Sequence, residues 1–399
     1  MARLDWSRGA SLAAIFLGYG STGLGLGVFG PLLVPISTTV HNEQLAQTII
    51  VTPMLGLAIT GLAVGWITGR LGVRYTLCAG AAGLALAGVL GIFGAAPPFL
   101  IAASFLVGAS TAILSVAAGL LLSVLYDGEA RTRVLGYAVA FGGLIAASAV
   151  WLSGQIADSA GWRAAYLLFV AAGALICLFA LGAVRAGAAV RSAHAGEPPR
   201  LSAFGPVVPY FAAIFLLMLA TSTTQTHVPL LLKDAGVRRY GAISAVLSMQ
   251  AVFNVVGSVV YARLPRLGRI PVAIAAVVLL VTSTLVFANA HAPLLFAAGC
   301  AFVGAAGGML LPFLMDGLFL RASLPVRGYA LGVFRTLMFT GGFLNPFVMK
   351  PIRNLVGLHN LFYVLATASA VVGSLFILRA WSAGASRLGH LKHDQSAAS

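Results

Sequence analysis

Charge is scarce in this sequence. Only 8% of its 399 residues are charged, and nine are acidic, whereas a soluble domain carries roughly 25% charged residues. Hydrophobic residues make up 60% of the chain, and the mean hydropathy is +1.00. These values exclude an ordinary water-soluble domain. Lipid is therefore the expected solvent for most of the chain.

Cysteine is also scarce, and the usual catalytic motifs are missing. Cys78, Cys177 and Cys300 each lie in an apolar run, which favours packing over a disulfide or a metal site. The sequence has no glycine-rich phosphate loop with its lysine, no metal-ligand cluster and no nucleophile with a neighbouring base. We therefore expect neither an enzyme nor an ATP-driven pump, and no metal or cofactor.

About twelve apolar runs are long enough to cross a bilayer. Because backbone polar groups need partners in lipid, runs of roughly 20 apolar residues without alternation predict helices. The expected fold is an all-α membrane protein with 12 transmembrane helices. The predicted spans are 11–35, 45–68, 75–94, 97–125, 133–157, 163–184, 206–232, 241–263, 270–289, 293–320, 328–352 and 358–381.

The second half of the chain repeats the first. The segment from Gly65 recurs at Gly257, and Gly136-Tyr137-Ala138 recurs from Gly328, both at an offset of 192 residues. This repeat predicts two pseudo-symmetric six-helix bundles with a binding site between them. The predicted divisions are an N-terminal bundle (1–184), a cytoplasmic linker (185–205), a C-terminal bundle (206–381) and a cytoplasmic tail (382–399).

The net charge of +15 is distributed unevenly. With a cytoplasmic N-terminus, seventeen of the 24 basic residues lie on the cytoplasmic side and six on the outer side. Such an excess in short loops places both termini in the cytoplasm by the positive-inside rule. The basic residues therefore predict an orientation in the cytoplasmic (inner) membrane, and no nucleic-acid partner is expected.

The turn between spans 2 and 3 carries a recognisable motif. Gly65, Arg70, Gly72 and Arg74 match the signature of the major facilitator superfamily, and the chain resembles that family. The family's aspartate is replaced by Gly69, and Val73 occupies one of its basic positions. The resemblance implies a cytoplasmic gate in which these arginines meet acids of the next inner loop, with Asp127 as a candidate.

A second resemblance to the family lies at 154–166, at the turn into span 6. The proline-containing antiporter motif of span 5 is missing, since residues 136 to 154 hold no proline. Family membership implies a secondary transporter that works by alternating access. The missing motif weighs against the drug/proton antiporter branch.

Polar residues at membrane depth are costly and are therefore the candidates for function. Gln250 and Asn254 are four residues apart on one face of span 8, near the midplane. They could bind a solute or hydrogen-bond a neighbouring helix. Thr223 and Asn345 join them as candidate substrate-binding residues.

Arg335 lies roughly 10 Å inside span 11, at 1.5 Å per residue. Three roles stay open for it: an ion pair with Asp316, binding of an anionic substrate group, or snorkelling to the interface. His227, one turn after Thr223 on span 7, is both a candidate substrate ligand and a candidate proton carrier. Asp316 is the alternative proton carrier.

The sequence thus predicts a monomeric secondary transporter for a small organic solute in the lipid bilayer. The leading hypothesis is proton-linked transport of a polar or anionic metabolite, with export as one direction. Efflux of amphipathic drugs and a receptor-like protein that has lost transport are the alternatives.

Overall fold

The computed structural model describes residues 2–94, 96–126, 128–182, 201–263, 269–322 and 327–397. Most of the predicted linker 185–205 lies outside these ranges. Its last residues enter a short 3-10 helix, Leu201–Val207, which leads into the second half of the chain.

Within the described ranges the chain forms thirteen α-helices. Long helices alternate with short connections, as expected for a chain that crosses a bilayer repeatedly. They are α1 (Ala2–Gly27), α2 (Leu33–Val40), α3 (Glu43–Leu71), α4 (Val73–Phe93), α5 (Pro97–Leu125), α6 (Gly128–Ala160), α7 (Leu167–Gly182), α8 (Val208–Asp234), α9 (Tyr240–Arg263), α10 (Arg269–Asn289), α11 (Pro293–Arg321), α12 (Arg327–Val356) and α13 (Leu358–Ala397).

Eleven segments of the described chain are long and apolar enough to cross a membrane. The predicted span 328–352 is the exception. Its helix, α12, has 30 residues, but Arg335, Asn345, Lys350 and Arg353 lower its hydropathy. Helix α13 also runs beyond its predicted span, through the predicted tail, to Ala397.

The first span contains a break that the sequence did not place. Helix α1 ends at Gly27, a 3-10 turn follows at Gly30–Leu32, and α2 continues to Val40. The first span was predicted to end at residue 35. Instead, Pro31 occupies the first turn of the 3-10 helix, where its missing N–H leaves no bond unmade. The span therefore bends there and continues for about five residues beyond position 35.

Two hydrophobic cores divide the molecule. One is built almost entirely from residues of α1 to α7 and the other almost entirely from α8 to α13. The helix pairs of the two halves correspond: α1–α6 with α8–α12, α3–α5 with α9–α11, and α4–α7 with α10–α13. These matching pairs are the structural form of the sequence repeat.

Close packing inside each bundle depends on glycine. On α5, a methyl group at Gly108 would overlap the carbonyl oxygen of Pro53 on α3. The matching pair in the second bundle brings Gly304 of α11 equally close to the carbonyl of Gln250 on α9. Small residues at such positions allow membrane helices to approach closely.

Candidate transport site between the two bundles

Helices of the two bundles meet along two seams. In one seam α3 packs against α12, and in the other α6 packs against α9. With α1 and α2 counted as one crossing and α12 included, the helices cross twelve times in alternate directions. The start of α1 and the end of α13 therefore lie on one face, which we call the terminal face. The opposite face, which carries the connections after α2, α4, α6, α8, α10 and α12, is the distal face.

The α3–α12 seam is closed by polar contacts near the distal face. Glu43, in the first turn of α3, forms an ion pair with Arg353 in the last turn of α12. One turn further, Gln47 is fully buried, and its Nε2 donates to the Thr226 carbonyl of α8 at 3.1 Å. Near the middle of the seam, Met54 lies against Gly342. The distal half of this seam is therefore shut.

The α6–α9 seam is closed in a similar way. Asp158 accepts hydrogen bonds from the backbone N–H groups of Tyr240 and Gly241, at 2.8 and 2.7 Å. A carboxylate at the N-terminus of α9 also interacts favourably with the helix dipole. Further along, Ser244 Oγ donates to the Trp151 carbonyl at 3.2 Å. A side chain of α6 thus caps a helix of the other bundle.

The terminal halves of the same helices are exposed. Ile59 and Leu62 of α3 are 55% and 64% exposed, and Tyr137 and Val139 of α6 are 62% and 56% exposed. The contacts across both seams near the distal face define one conformation of a two-bundle protein. It is closed at the distal face.

A central cavity of about 250 Å³ lies between α1, α6, α8 and α9. Its polar wall consists of Thr22, Gln225, Gln250 and Asn254. Gln250 and Asn254 sit near the middle of α9, so the cavity is at the membrane midplane. None of its lining residues in the described chain is ionisable. Of the predicted substrate residues, the structure brings Gln250 and Asn254 to this cavity.

Thr223, His227 and Asn345 lie elsewhere, in a buried network between α8 and α12. Asn345 Nδ2 donates to Leu219 O at 2.6 Å and to Thr223 Oγ1 at 2.8 Å. Thr226 Oγ1 donates to Asn345 Oδ1 at 2.7 Å and lies 2.8 Å from His227 Nδ1. These residues are buried and bond one another rather than facing the cavity.

Arg335 and Asp316 are separate from both groups. Both are exposed, and in the described chain they form no ion pair within 4.0 Å. Asp316 instead accepts a hydrogen bond from Tyr261 Oη at 2.5 Å. The Asp316–Arg335 ion pair, one of three roles left open for Arg335, is therefore not formed in this conformation.

The motif on the terminal face is partly visible. Gly72 adopts φ 79° at the turn between α3 and α4, a conformation that favours glycine. Arg74 donates to the carbonyl of Leu181 in the last turn of α7, and Arg70 is exposed. Asp127 lies outside the described residues, as do the surroundings of Gly65, so their place in the predicted gate stays a prediction.

Sequence reasoning missed the residues that close the distal face: Glu43, Gln47, Asp158 and Arg353. None of the four was named as a candidate, although Gln47 is fully buried in the second predicted span. A usable signal was present, because Glu43 and Asp158 are two of only nine acidic residues. Each stands at a helix end on the face predicted to be outside.

Fold and site together define a class of protein: a multi-pass membrane protein with two related bundles and, between them, a solute-sized cavity whose wall carries four polar side chains. The sequence profile of the Major Facilitator Superfamily matches residues 15–346. The chain belongs to this superfamily of membrane transporters.

Two comparisons add detail. A crystal structure of a point mutant of the nucleoside transporter NupG superposes with a TM-score of 0.76 at 14% identity, covering 92% of this chain and 99% of that one. It shows the shared fold. The arabinose-proton symporter of Escherichia coli (strain K12) is 33% identical over 114 residues, 28% of this chain. The matched region spans about a quarter of that relative's length.

Proposed function

We propose that the protein is a secondary transporter that moves an uncharged polar organic solute across the cytoplasmic membrane by proton-linked alternating access. The observation that carries this proposal is the midplane cavity lined by Gln225, Gln250 and Asn254 without an ionisable side chain. With both termini in the cytoplasm, as the positive-inside rule predicts, the conformation described above is closed to the outside.

Amide side chains suit an uncharged solute with hydroxyl groups. Each amide offers both donors and an acceptor, so it can bond a hydroxyl in either sense. A buried anionic group is most often paired with a cation, and neither Arg335 nor another cation lines this cavity in the described chain. Of the polar or anionic metabolites that the sequence predicted as substrates, we therefore propose the polar, uncharged ones.

The relatives are consistent with this substrate class. The partial sequence match is to an arabinose-proton symporter, and the structural match is to a nucleoside transporter. Pentoses and nucleosides both carry several hydroxyl groups and no net charge. The symporter's name also supports proton linkage.

The test is a flux screen in proteoliposomes with an imposed pH gradient. The solutes are pentoses, polyols and nucleosides in one set and carboxylates and sugar phosphates in the other. We expect uptake of at least one member of the uncharged set and a loss of about tenfold or more with Gln250→Leu. Removing a buried bidentate partner costs on the order of 1–3 kcal/mol.

Asn360→Leu is the matched control, because this amide lies on the exposed distal end of α13 and outside the cavity. Arg335→Gln tests the anionic alternative. Transport confined to the anionic set and abolished by Arg335→Gln would overturn the proposed substrate class. Binding without flux of any solute would instead identify a receptor-like protein.

A further inference from the structure

The hydrogen bonds around His227 determine its tautomer. The amide of Asn345 is oriented by its contacts, because Nδ2 donates to the Leu219 carbonyl and to Thr223 Oγ1. The other amide atom, Oδ1, is therefore the acceptor that faces Thr226. The Thr226 hydroxyl has one proton, and the carbonyls of Ser222 and Thr223, at 3.1 and 3.4 Å, are also within reach of it. Two oxygens only 2.7 Å apart need a proton between them, so the proton goes to Asn345 Oδ1. Towards His227 Nδ1, 2.8 Å away, Thr226 Oγ1 can then only accept. The proton of the neutral imidazole is therefore on Nδ1.

The other ring nitrogen is left as a bare acceptor. His227 is 0% exposed, and its Nε2 has no hydrogen-bond partner within the described structure. A proton added to Nε2 here would create a buried cation with neither water nor an acceptor, which is strongly unfavourable. His227 is accordingly neutral while the distal face is closed.

His227 stands on the turn of α8 that contacts the closed α3–α12 seam. The Thr226 carbonyl, next to His227 in the chain, accepts the inter-bundle hydrogen bond from Gln47. One turn away along α3 stands the Glu43–Arg353 ion pair. Opening this seam would break both contacts and let water reach the turn of α8 that carries His227.

Other charged and titratable side chains surround His227 and could also respond to pH. Glu43 on α3 and Arg353 on α12 are the pair at the seam. The others are Lys350 on α12, Lys233 and Asp234 at the end of α8, His41 after α2, His359 on α13, and, toward the terminal face, Asp316 and Arg321 on α11 and Arg335 on α12. Glu43 is the acid among these that takes part in the seam.

We infer that Nε2 of His227 is a proton-binding site that fills only when the distal seam opens, so that acid on the distal side favours the open conformation. The inference rests on the proposed alternating-access function and names the group through which protons act. A proton from solvent adds to the Nε2 lone pair to give an imidazolium. In the carrier without solute the same proton returns to the distal solvent before the seam closes, so this step sets the pH dependence of opening and moves no proton across the membrane.

The size of the effect follows from linkage. If only the open conformation binds the proton, and a hydrated imidazole titrates near pH 6.5, the open-to-closed ratio grows about tenfold between pH 8 and pH 5.5. The direction of the pH effect follows from which conformation binds the proton. Protonation stabilises the open form, so closure is favoured as pH rises.

The experiment measures the conformation and needs no solute. Spin labels on Thr38→Cys and Asn354→Cys, both exposed near the distal face, report the α2–α12 separation after Cys78, Cys177 and Cys300 are replaced by alanine. We expect the long-distance population to rise about tenfold relative to the short one from pH 8 to pH 5.5. His227→Asn, which keeps a donor toward Thr226 and removes Nε2, should abolish the rise.

Three control variants keep the assignment specific. His359→Asn removes another distal histidine, Asp316→Asn removes the alternative proton carrier, and Glu43→Gln removes the carboxylate of the seam. We expect each to retain the pH response, although Glu43→Gln starts from a more open population. A response that survives His227→Asn, or that is lost with Glu43→Gln, would overturn the inference.

Nitrogen-15 spectra of the histidines give a second measurement that does not require a variant. At pH 8 we expect the His227 ring in the Nδ1–H tautomer. An Nε2–H tautomer would refute the proton site even if solute transport is found. Conversely, a pH-dependent seam without flux of any solute would leave the site standing and refute the proposed transport.

Discussion

The ion pair between Glu43 and Arg353 offers a direct test of how the distal face is held shut. The perturbation is Glu43→Gln, which keeps the side-chain shape and an acceptor for the Gln47 amide, 3.2 Å away, and removes the charge. The Arg353 side chain is 16% exposed and that of Glu43 39%. Since one partner is more than a third exposed, we discount a buried charge-assisted bond to about 1 kcal/mol.

A loss of about 1 kcal/mol lowers the closed-to-open ratio about fivefold. The labels at positions 38 and 354 measure it at pH 8, where the proposed histidine site is empty. Asp234→Asn, which changes an exposed acid on the same face, should leave the ratio unchanged. In a double-mutant cycle with Arg353→Gln, the second substitution should add little to the first. Fully additive effects, or an unchanged ratio in Glu43→Gln, would refute this account of the seam.

Three further predictions concern packing and the second seam. Gly108→Ala should lower the thermal midpoint of unfolding in detergent by several degrees, because overpacking against Pro53 O costs roughly 1–3 kcal/mol. Gly61→Ala is the control and should leave the midpoint unchanged, since no atom lies within 4 Å of the added methyl group. Asp158→Ala should increase the α6–α9 separation at the distal face, as seen by cross-linking, since two backbone donors lose their acceptor. Asn345→Leu should lower the thermal midpoint more than Asn360→Leu, because only the former leaves buried hydroxyl partners unpaired.

Much of the fold could be predicted because lipid imposes simple rules. Every predicted span corresponds to a helix, and the repeat at 192 residues reappears as matching helix pairs. The bend at Gly30–Leu32 was not predicted, because proline permits both a helix end and a new first turn. The choice between these depends on packing, which a sequence pattern does not contain.

The site was predicted in residue type but not in arrangement. Gln250 and Asn254 reach the cavity, as their spacing on one helix face suggested. Asn345 and His227 both contact the hydroxyl of Thr226. Asn345 and Thr226 are 119 residues apart in sequence, and such a pairing depends on how the helices pack. Glu43 and Gln47 escaped notice because they lie at a span end, where polar residues are common.

The low hydropathy of α12 has a consequence for how the chain is made. A segment with several cations and an asparagine partitions poorly into lipid on its own when it leaves the translocon. By that time α8 has already been synthesised, and it supplies the Leu219 carbonyl and the Thr223 and Thr226 hydroxyls that pair with Asn345. Biogenesis of the eleventh crossing is therefore cooperative: a ribosome-bound intermediate truncated before α13 should retain α12 only if α8 is intact.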